Sequence, residues 1–235
     1  MSKMMSKKTG RNTRSVVTAR RGPSLTAIIG IVVVLLFAGV VGFGVYRTQH
    51  QSNSGAVPVN ATASGVLVGQ ASAPASIDIY LDFQCPVCRA YEQQSGATID
   101  GFIASGAAKV LYHPLAFLDQ SSTTKYSTRA SSASGCAAQS GAEVFAKYVK
   151  LLYANQPPEG GDGLPESQLI SLGQQAGAGG DFAKCVTDNT FAGWTAALTD
   201  AASKAGINAT PTVEVNGKQI DNTDEALRQA VQAAK

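Results

Sequence analysis

The feature that most constrains the fold is a pair of cysteines, Cys85 and Cys88, at the junction between a predicted strand and a predicted helix. Residues 76–83, SIDIYLDF, alternate apolar and polar side chains, which is typical of a strand with one buried face. Pro86 suits the first turn of a helix, which we expect to continue to about Ala104. The nucleophilic end of a CxxC motif is therefore predicted at a helix N-terminus, directly after a strand.

The rest of the chain predicts strands at both ends of one domain and helices between them. Strand character occurs in GVLVG at 65–69, in AKVLYHPLAF at 108–117, and in PTVEVNGKQI at 211–220, where Asn-Gly marks a hairpin turn. The intervening residues are rich in Ala, Ser and Gln with helical spacing. The predicted fold class is α/β: a thioredoxin fold in the domain at 65–235, with a helical insertion at about 120–206.

An apolar segment precedes this domain. Residues 25–46, LTAIIGIVVVLLFAGVVGFGVY, contain no charged side chain. At about 1.5 Å per residue, a helix of this length measures about 33 Å and crosses a bilayer core. Eight Lys and Arg and no acid occur in residues 1–47, mostly before the apolar segment. This asymmetry predicts a cytoplasmic tail at 1–24 and a single transmembrane helix, with the later residues outside. A cleaved signal peptide is the alternative, although its apolar region is shorter, at about 7–15 residues.

The residues that follow the apolar segment predict a linker and an acidic domain. Residues 47–64 are polar and lack periodicity, so we expect a flexible linker there. Beyond residue 47 the chain carries 11 Lys and Arg against 16 Asp and Glu. Nucleic-acid binding requires a basic surface on the domain itself, so no nucleic-acid partner is expected. The basic tail instead suits contact with the anionic headgroups of a lipid bilayer.

The cysteines of this chain are consistent with several chemical roles. There are four of them, an even number that suits disulfide chemistry outside the cytoplasm: Cys85, Cys88, Cys136 and Cys185. The CxxC pair could serve as a redox centre, a structural staple or half of a zinc site. Zinc needs two more closely spaced ligands, which neither the isolated cysteines nor the two histidines provide. Redox exchange is the favoured interpretation, with no metal and no cofactor.

Four motifs resemble one known family. They are DFQCPVCRAY (82–91), STRASSASGCAAQ (127–139), LLYANQP (151–157) and ATPTVEVNGK (209–218). Together they resemble the DsbA-type thiol:disulfide oxidoreductases of bacteria, over roughly residues 65–234, and most closely the membrane-anchored members with a second cysteine pair. The resemblance implies a thioredoxin fold interrupted by a helical domain, a redox-active CxxC motif and a cis-proline opposite it.

Within the CxxC motif, Cys85 is the expected nucleophile. The unpaired N–H groups and the macrodipole of a helix N-terminus stabilise a thiolate. Thiols in such motifs have pKa values of about 3.5–7.5 instead of near 8.5. Cys88, one turn further along, is the expected resolving cysteine, with Pro86 and Val87 between the two. Strong oxidants of this family often have His where Val87 stands, so the direction of electron flow is the least determined property.

The resemblance also implies roles for two distant pairs of residues. The Thr210-Pro211 peptide bond is expected to be cis, leaving the Thr210 backbone free to pair with an extended substrate peptide. Cys136 and Cys185, in the helical insertion, are expected to form a structural disulfide. A second redox pair and two free thiols are the alternatives for these cysteines.

Two acids and one histidine near the CxxC motif are weaker candidates for a catalytic role. Many relatives place a buried acid six residues before the first cysteine, where this chain has Ile79. Asp78 and Asp82 lie on the other face of the predicted strand and are weaker candidates for a proton shuttle. For Asp82, a solvated acid at the strand end is an equally good interpretation. His113 is interpreted as a surface or hydrogen-bonded histidine in preference to a partner of a cysteine.

These observations favour a membrane-anchored thiol:disulfide oxidoreductase outside the cytoplasm that introduces disulfides into exported proteins. The resemblance implies two protein partners: reduced exported substrates, and a membrane oxidase of the DsbB or vitamin-K-epoxide-reductase kind that reoxidises Cys85 and Cys88. The alternatives are a reductase or isomerase with the same fold, and a non-catalytic peptide-binding module.

Overall fold

Five strands form one mixed sheet in the computed structural model, which describes residues 55–234. The strands are β1 (Val66–Val68), β2 (Ala75–Leu81), β3 (Ala108–Pro114), β4 (Thr212–Val215) and β5 (Lys218–Ile220). The helices in the described part of the chain are α1 (Pro86–Ala104), α2 (Tyr126–Ala138), α3 (Ala142–Ala154), α4 (Glu166–Ala176), α5 (Phe182–Thr187), α6 (Ala192–Lys204) and α7 (Asp224–Ala233), with a 3₁₀ turn at Asp119–Ser121.

The central strand of the sheet is β2. The strand order is β1-β3-β2-β4-β5, with β2 and β3 parallel and the other pairs antiparallel. Alternate residues of β2 are buried, as the sequence predicts, and Ile77 has no exposed surface. Burial of such a side chain contributes about 1.5–3 kcal/mol. The β2-α1-β3 unit therefore forms the centre of the domain, and β2 leads directly to the cysteine pair.

The antiparallel pairing of β2 with β4 brings two distant motifs together. In the register of these strands, Tyr80 lies opposite Thr212. The C-terminal end of β2 continues to Cys85, whereas the N-terminal end of β4 is preceded by Pro211. Because antiparallel strands place the end of one beside the start of the other, the CxxC motif and the Thr-Pro motif lie at the same edge.

Five helices, α2 to α6, lie between β3 and β4 in the sequence. Their large buried side chains, among them Trp194, Tyr126 and Tyr148, belong to the same apolar core as the sheet. Phe145 of α3 packs edge-on against Tyr112 of β3, with ring centroids 5.6 Å apart. The predicted fold class, a thioredoxin-type α/β fold with additional helices, is confirmed.

The helix boundaries follow local chemistry. Pro86 occupies the first turn of α1, where a missing N–H has no cost. The helix ends just before Gly106, which has a φ of 69° that favours glycine. Thr223 precedes α7 and its hydroxyl accepts a hydrogen bond from the Ala226 N–H at 3.2 Å.

The prediction of a flexible linker at 47–64 is wrong for residues 55–64, which pack against the helices. Asn60 Nδ2 donates to the Ala138 carbonyl at 2.9 Å, and Trp194 Nε1 donates to the Thr62 carbonyl at 2.9 Å. A Cβ atom on Gly55 would lie only 2.5 Å from the Trp194 backbone nitrogen, so the chain approaches α6 closely here. A polar segment without periodicity is thus not necessarily flexible, because hydrogen bonds with neighbouring helices can hold an irregular backbone in place.

The predicted cytoplasmic tail (1–24) and transmembrane helix (25–46) lie outside the described residues. Within residues 55–234, none of the helices has the length and apolar character needed to cross a bilayer.

Candidate active site

The cysteine pair lies at the start of α1. Cys85 is the N-cap residue, with extended backbone angles (φ −72°, ψ 117°), and its Sγ accepts a hydrogen bond from the Cys88 N–H at 3.4 Å. Both cysteines are free thiols and both are buried. The Cys85 thiol also donates to the Thr210 carbonyl oxygen at 3.2 Å. The Cys85 sulfur is therefore held between a helix N-terminus and the backbone that precedes the proline.

The pKa values of the two thiols are shifted in opposite directions. A hydrogen bond from the Cys88 thiol, supported by the backbone N–H groups of Cys88 and Val87, lowers the pKa of Cys85 to about 6 although burial opposes this shift. Burial, together with the neighbouring Cys85 sulfur, raises the pKa of Cys88 well above its usual value. At neutral pH Cys85 is thus mainly a thiolate, whereas Cys88 keeps its proton. This is the asymmetry that a nucleophile and a resolving cysteine require.

The Thr210-Pro211 peptide bond is cis, as the resemblance implies. Pro211 is buried, and the half-buried Thr210 carries the carbonyl that contacts Cys85. The residues of the Thr-Pro and CxxC motifs are therefore brought together at one edge of the sheet, 125 residues apart in sequence. An extended peptide at this edge would have its cysteine beside Cys85 Sγ.

Asp82 is fully buried, so its interpretation as a solvated strand-end acid is wrong. Strand β2 ends at Leu81, and Asp82 therefore leaves the alternating pattern and turns inward. Its carboxylate accepts hydrogen bonds from the Gln84 N–H (2.9 Å), the Leu118 N–H (2.9 Å) and the Ser127 hydroxyl (2.7 Å). Burial raises the pKa of Asp82 despite these three donors, which oppose the shift. This carboxylate fixes the turn between β2 and Cys85.

Two residues that support this turn were not identified from the sequence. Gln156 Nε2 donates to the carbonyl oxygens of Phe83 and Cys85, both at 2.9 Å. The Tyr153 hydroxyl donates to the Asp82 carbonyl at 3.3 Å. Both residues belong to the LLYANQP motif, so the available signal was a polar glutamine directly after an apolar helix. Side chains from α3 and the following loop therefore satisfy backbone acceptors beside the nucleophile.

His113 pairs with an acid and not with a cysteine. Its Nε2 lies 3.0 Å from Asp78 Oδ1, and its ring stacks on Tyr80 with centroids 4.1 Å apart. The interpretation as a hydrogen-bonded histidine agrees with this arrangement, and Asp78 is engaged in the same pair. Val87, by contrast, is 58% exposed beside the cysteines and presents an apolar surface without charge.

The other two cysteines form a disulfide. Cys136 of α2 and Cys185 of α5 are bonded, with their Cα atoms 5.9 Å apart, so the free-thiol alternative is wrong. The bond ties the short helix α5 to the buried helix α2. Within residues 55–234, no three His, Cys, Asp or Glu side chains are arranged to hold a metal ion.

Comparison with known proteins places this geometry in a family. A family model described as Thioredoxin matches residues 61–233. The reduced disulfide oxidoreductase DsbG from Mycobacterium tuberculosis is 30% identical, with a TM-score of 0.64, over 74% of this chain and 85% of that one. Oxidised Mtb DsbA is 29% identical, with a TM-score of 0.64, over 72% of this chain and 91% of that one. BdbD from Bacillus subtilis, at 20% identity, shares the fold with a TM-score of 0.65, over 77% and 97% of the two chains.

The fold and the cysteine pair define a thiol:disulfide oxidoreductase. The chain belongs to the thioredoxin superfamily, among its DsbA-like enzymes. It is also 33% identical over 175 residues to the serine/threonine-protein kinase PknE of Mycobacterium tuberculosis. That match covers 71% of this chain but only 31% of the kinase, so the chain spans about a third of the length of these curated relatives.

Replacing Cys88 should change the acidity of Cys85. Cys88→Ala removes the thiol that makes the largest contribution, so the pKa of Cys85 should rise from about 6 towards the usual range of a cysteine thiol. Cys88→Ser retains a hydroxyl donor and should leave the pKa closer to 6. The pH dependence of Cys85 alkylation in the reduced proteins measures both values. An unchanged midpoint in Cys88→Ala would show that the backbone N–H groups alone determine the acidity.

Replacing the Asp82 carboxylate should destabilise the domain. In Asp82→Asn the amide group cannot accept at both positions, so one of the buried donors, such as the Leu118 N–H, loses its partner. An unpaired buried donor costs about 1–3 kcal/mol in the free energy of unfolding. Asp188→Asn, which disrupts only an exposed pair with Lys184, should cost less than about 1 kcal/mol. Urea denaturation of both variants tests this, and equal stabilities would contradict a structural role for Asp82.

Proposed function

We propose that this protein oxidises thiols of exported polypeptides from a membrane-anchored position outside the cytoplasm. The observation that carries the proposal is the position of Cys85 at the N-terminus of α1, with its sulfur 3.2 Å from the Thr210 carbonyl oxygen and its pKa lowered to about 6. A CxxC disulfide is a stronger oxidant when its reduced form is more stable. The pKa of about 6 for Cys85 lies between the values of about 7 for thioredoxin and about 3.5 for DsbA. This acidity supports a moderately oxidising couple.

The reaction starts from the Cys85–Cys88 disulfide. A substrate thiolate attacks Cys85 Sγ, which forms a mixed disulfide and breaks the Cys85–Cys88 bond. The electron pair of that bond goes to Cys88, which takes up a proton because its pKa is raised. A second substrate thiolate then attacks the substrate sulfur of the mixed disulfide. Cys85 leaves as a thiolate, and two electrons have passed from the substrate dithiol to the enzyme.

A partner must remove these electrons before the next cycle. The family resemblance supports a membrane oxidase of the DsbB or vitamin-K-epoxide-reductase kind in this role. An anchor at residues 25–46 would hold the domain in the same membrane as that oxidase. Because residues 55–64 are packed against the helices, only the residues between 46 and 55 are left to connect the domain to the anchor.

The reduction potential of the Cys85–Cys88 couple tests the direction. We expect a value between about −270 mV, as in thioredoxin, and about −120 mV, as in DsbA. Equilibration with glutathione measures it. In parallel, Cys85→Ser should abolish oxidation of a reduced unfolded substrate. Cys88→Ser, incubated with a disulfide-containing substrate, should accumulate a mixed disulfide at Cys85 because the resolving thiol is missing. A potential at or below −270 mV would favour the reductase, a function that the uncharged Val87 suits better.

Membrane attachment has its own test. The full chain should sediment with membranes after a high-salt wash and should be digested by protease added from the outer side. A variant without residues 1–46 should be soluble and should retain thiol:disulfide exchange. A full chain in the soluble fraction would contradict the anchor. A mature protein that lacks the apolar segment would identify residues 25–46 as part of a cleaved signal peptide.

A further inference from the structure

A cleft adjoins the nucleophile on the side of α1. It has a volume of about 490 Å³, which lies in the range of ligand-binding pockets. One wall is a single face of α1, with Pro86, Arg89, Ala90 and Gln93 at helical spacing. The other wall is the loop at 156–159, QPPE. Since Pro86 directly follows Cys85, the cleft begins one residue from the reacting sulfur.

The cleft is a fixed part of the active-site region. Gln156, the first residue of the loop, is hydrogen-bonded through Nε2 to the Phe83 and Cys85 carbonyl oxygens. The next two residues, Pro157 and Pro158, have restricted backbone angles. The loop wall is therefore tied to the same turn that carries the nucleophile, and a ligand would find the cleft already formed.

Arg89 is the cation in this cleft. Its Nε is buried and has no hydrogen-bond partner among residues 55–234, and its guanidinium forms no ion pair with any described acid. The side chain as a whole is half-buried, and a guanidinium that lines a cleft without an acidic partner is complementary to an anionic acceptor. Glu159, on the opposite wall, is exposed, so water and salt screen its charge more effectively.

We propose that this cleft binds an acidic side chain of the polypeptide substrate, within about three residues of the cysteine that reacts with Cys85. Arg89 lies three residues after Pro86, a rise of about 4.5 Å along the helix, and an extended peptide advances about 3.3 Å per residue. A substrate held at the Thr210 backbone would therefore bring a nearby Asp or Glu to the guanidinium. The proposal rests on thiol:disulfide exchange at Cys85 and is independent of the direction of electron flow.

Paired peptides test this subsite in the full-length enzyme. Each pair of dithiol peptides differs only in Glu or Gln at one position, placed one to three residues before or after the reactive cysteine. The readout is the ratio of kcat/KM for the two peptides at low ionic strength. At the preferred position, the wild-type protein should favour the Glu peptide by about tenfold, the effect of one charge-assisted hydrogen bond.

Four variants test whether Arg89 is responsible for the preference for the Glu peptide. In Arg89→Gln the ratio should fall to about 1, and Arg89→Lys should retain part of the preference because it keeps the charge without the planar fork. Glu159→Gln removes the opposing charge and should increase the ratio. Lys218→Gln, on the exposed edge strand β5, removes an equal charge away from the cleft and should leave the ratio unchanged.

Four results would overturn the subsite. Equal kcat/KM for Glu and Gln peptides at every position in the wild-type protein would exclude it. Equal losses in Arg89→Gln and Lys218→Gln would assign the preference to the overall field of the protein. A shift of the Cys85 alkylation midpoint in Arg89→Gln, with both peptides slowed alike, would place Arg89 in the activation of the thiol. Failure of the wild-type protein to react with any peptide would contradict the exchange reaction itself, and the subsite with it.

Discussion

The pairing of β2 with β4 is the constraint on which the active site depends. Its register places the peptide bond before Pro211 beside the turn that connects the end of β2 to Cys85. The Cys85 sulfur is consequently 3.2 Å from the Thr210 carbonyl oxygen. A shift of one residue would move the buried face of β2, including Ile77 and Ile79, towards the opposite side of the sheet. The burial of those apolar side chains therefore maintains the positions of Cys85 and of the Thr210 backbone together.

The helices between β3 and β4 support the turn before Cys85 as well as enlarging the core. Ser127 of α2 donates to the Asp82 carboxylate, and Tyr153 of α3 donates to the Asp82 carbonyl. Gln156 satisfies the carbonyls of Phe83 and Cys85. A turn between a strand and a helix leaves such backbone groups without regular partners, and burial makes each one costly to leave unpaired. The helical region supplies the missing donors and so holds the N-cap conformation of Cys85.

The sequence predicted the parts of the fold that have a period or a fixed chemical role. Alternation identified β2, Pro86 marked the start of α1, and the family resemblance at Thr210-Pro211 indicated the cis peptide bond. Alternation does not reveal where a strand ends, so Asp82 was placed on the polar face although it turns into the core one residue after Leu81. The packing of residues 55–64 and the role of Gln156 depend on contacts between residues far apart in the chain, with no local pattern to indicate them.

The opposite pKa shifts of the two cysteines raise a question about the first step of the proposed oxidation. Breaking the Cys85–Cys88 bond by attack at Cys85 expels the thiol with the higher pKa, which is the poorer leaving group. Attack at Cys88 would expel Cys85, which is the better leaving group because its pKa is about 6. Cys88, however, lies within α1, whereas Cys85 is the N-cap residue and contacts the Thr210 carbonyl oxygen. Two of the causes that raise the pKa of Cys88, the hydrogen bond and the charge of Cys85, require a free Cys85 sulfur. In the mixed disulfide Cys85 carries no charge, so these causes are removed and the pKa of Cys88 is lower than in the fully reduced enzyme. In the proposed oxidation, the contact of Cys85 with the Thr210 edge would therefore direct the attack to Cys85, and formation of the mixed disulfide would itself improve Cys88 as a leaving group.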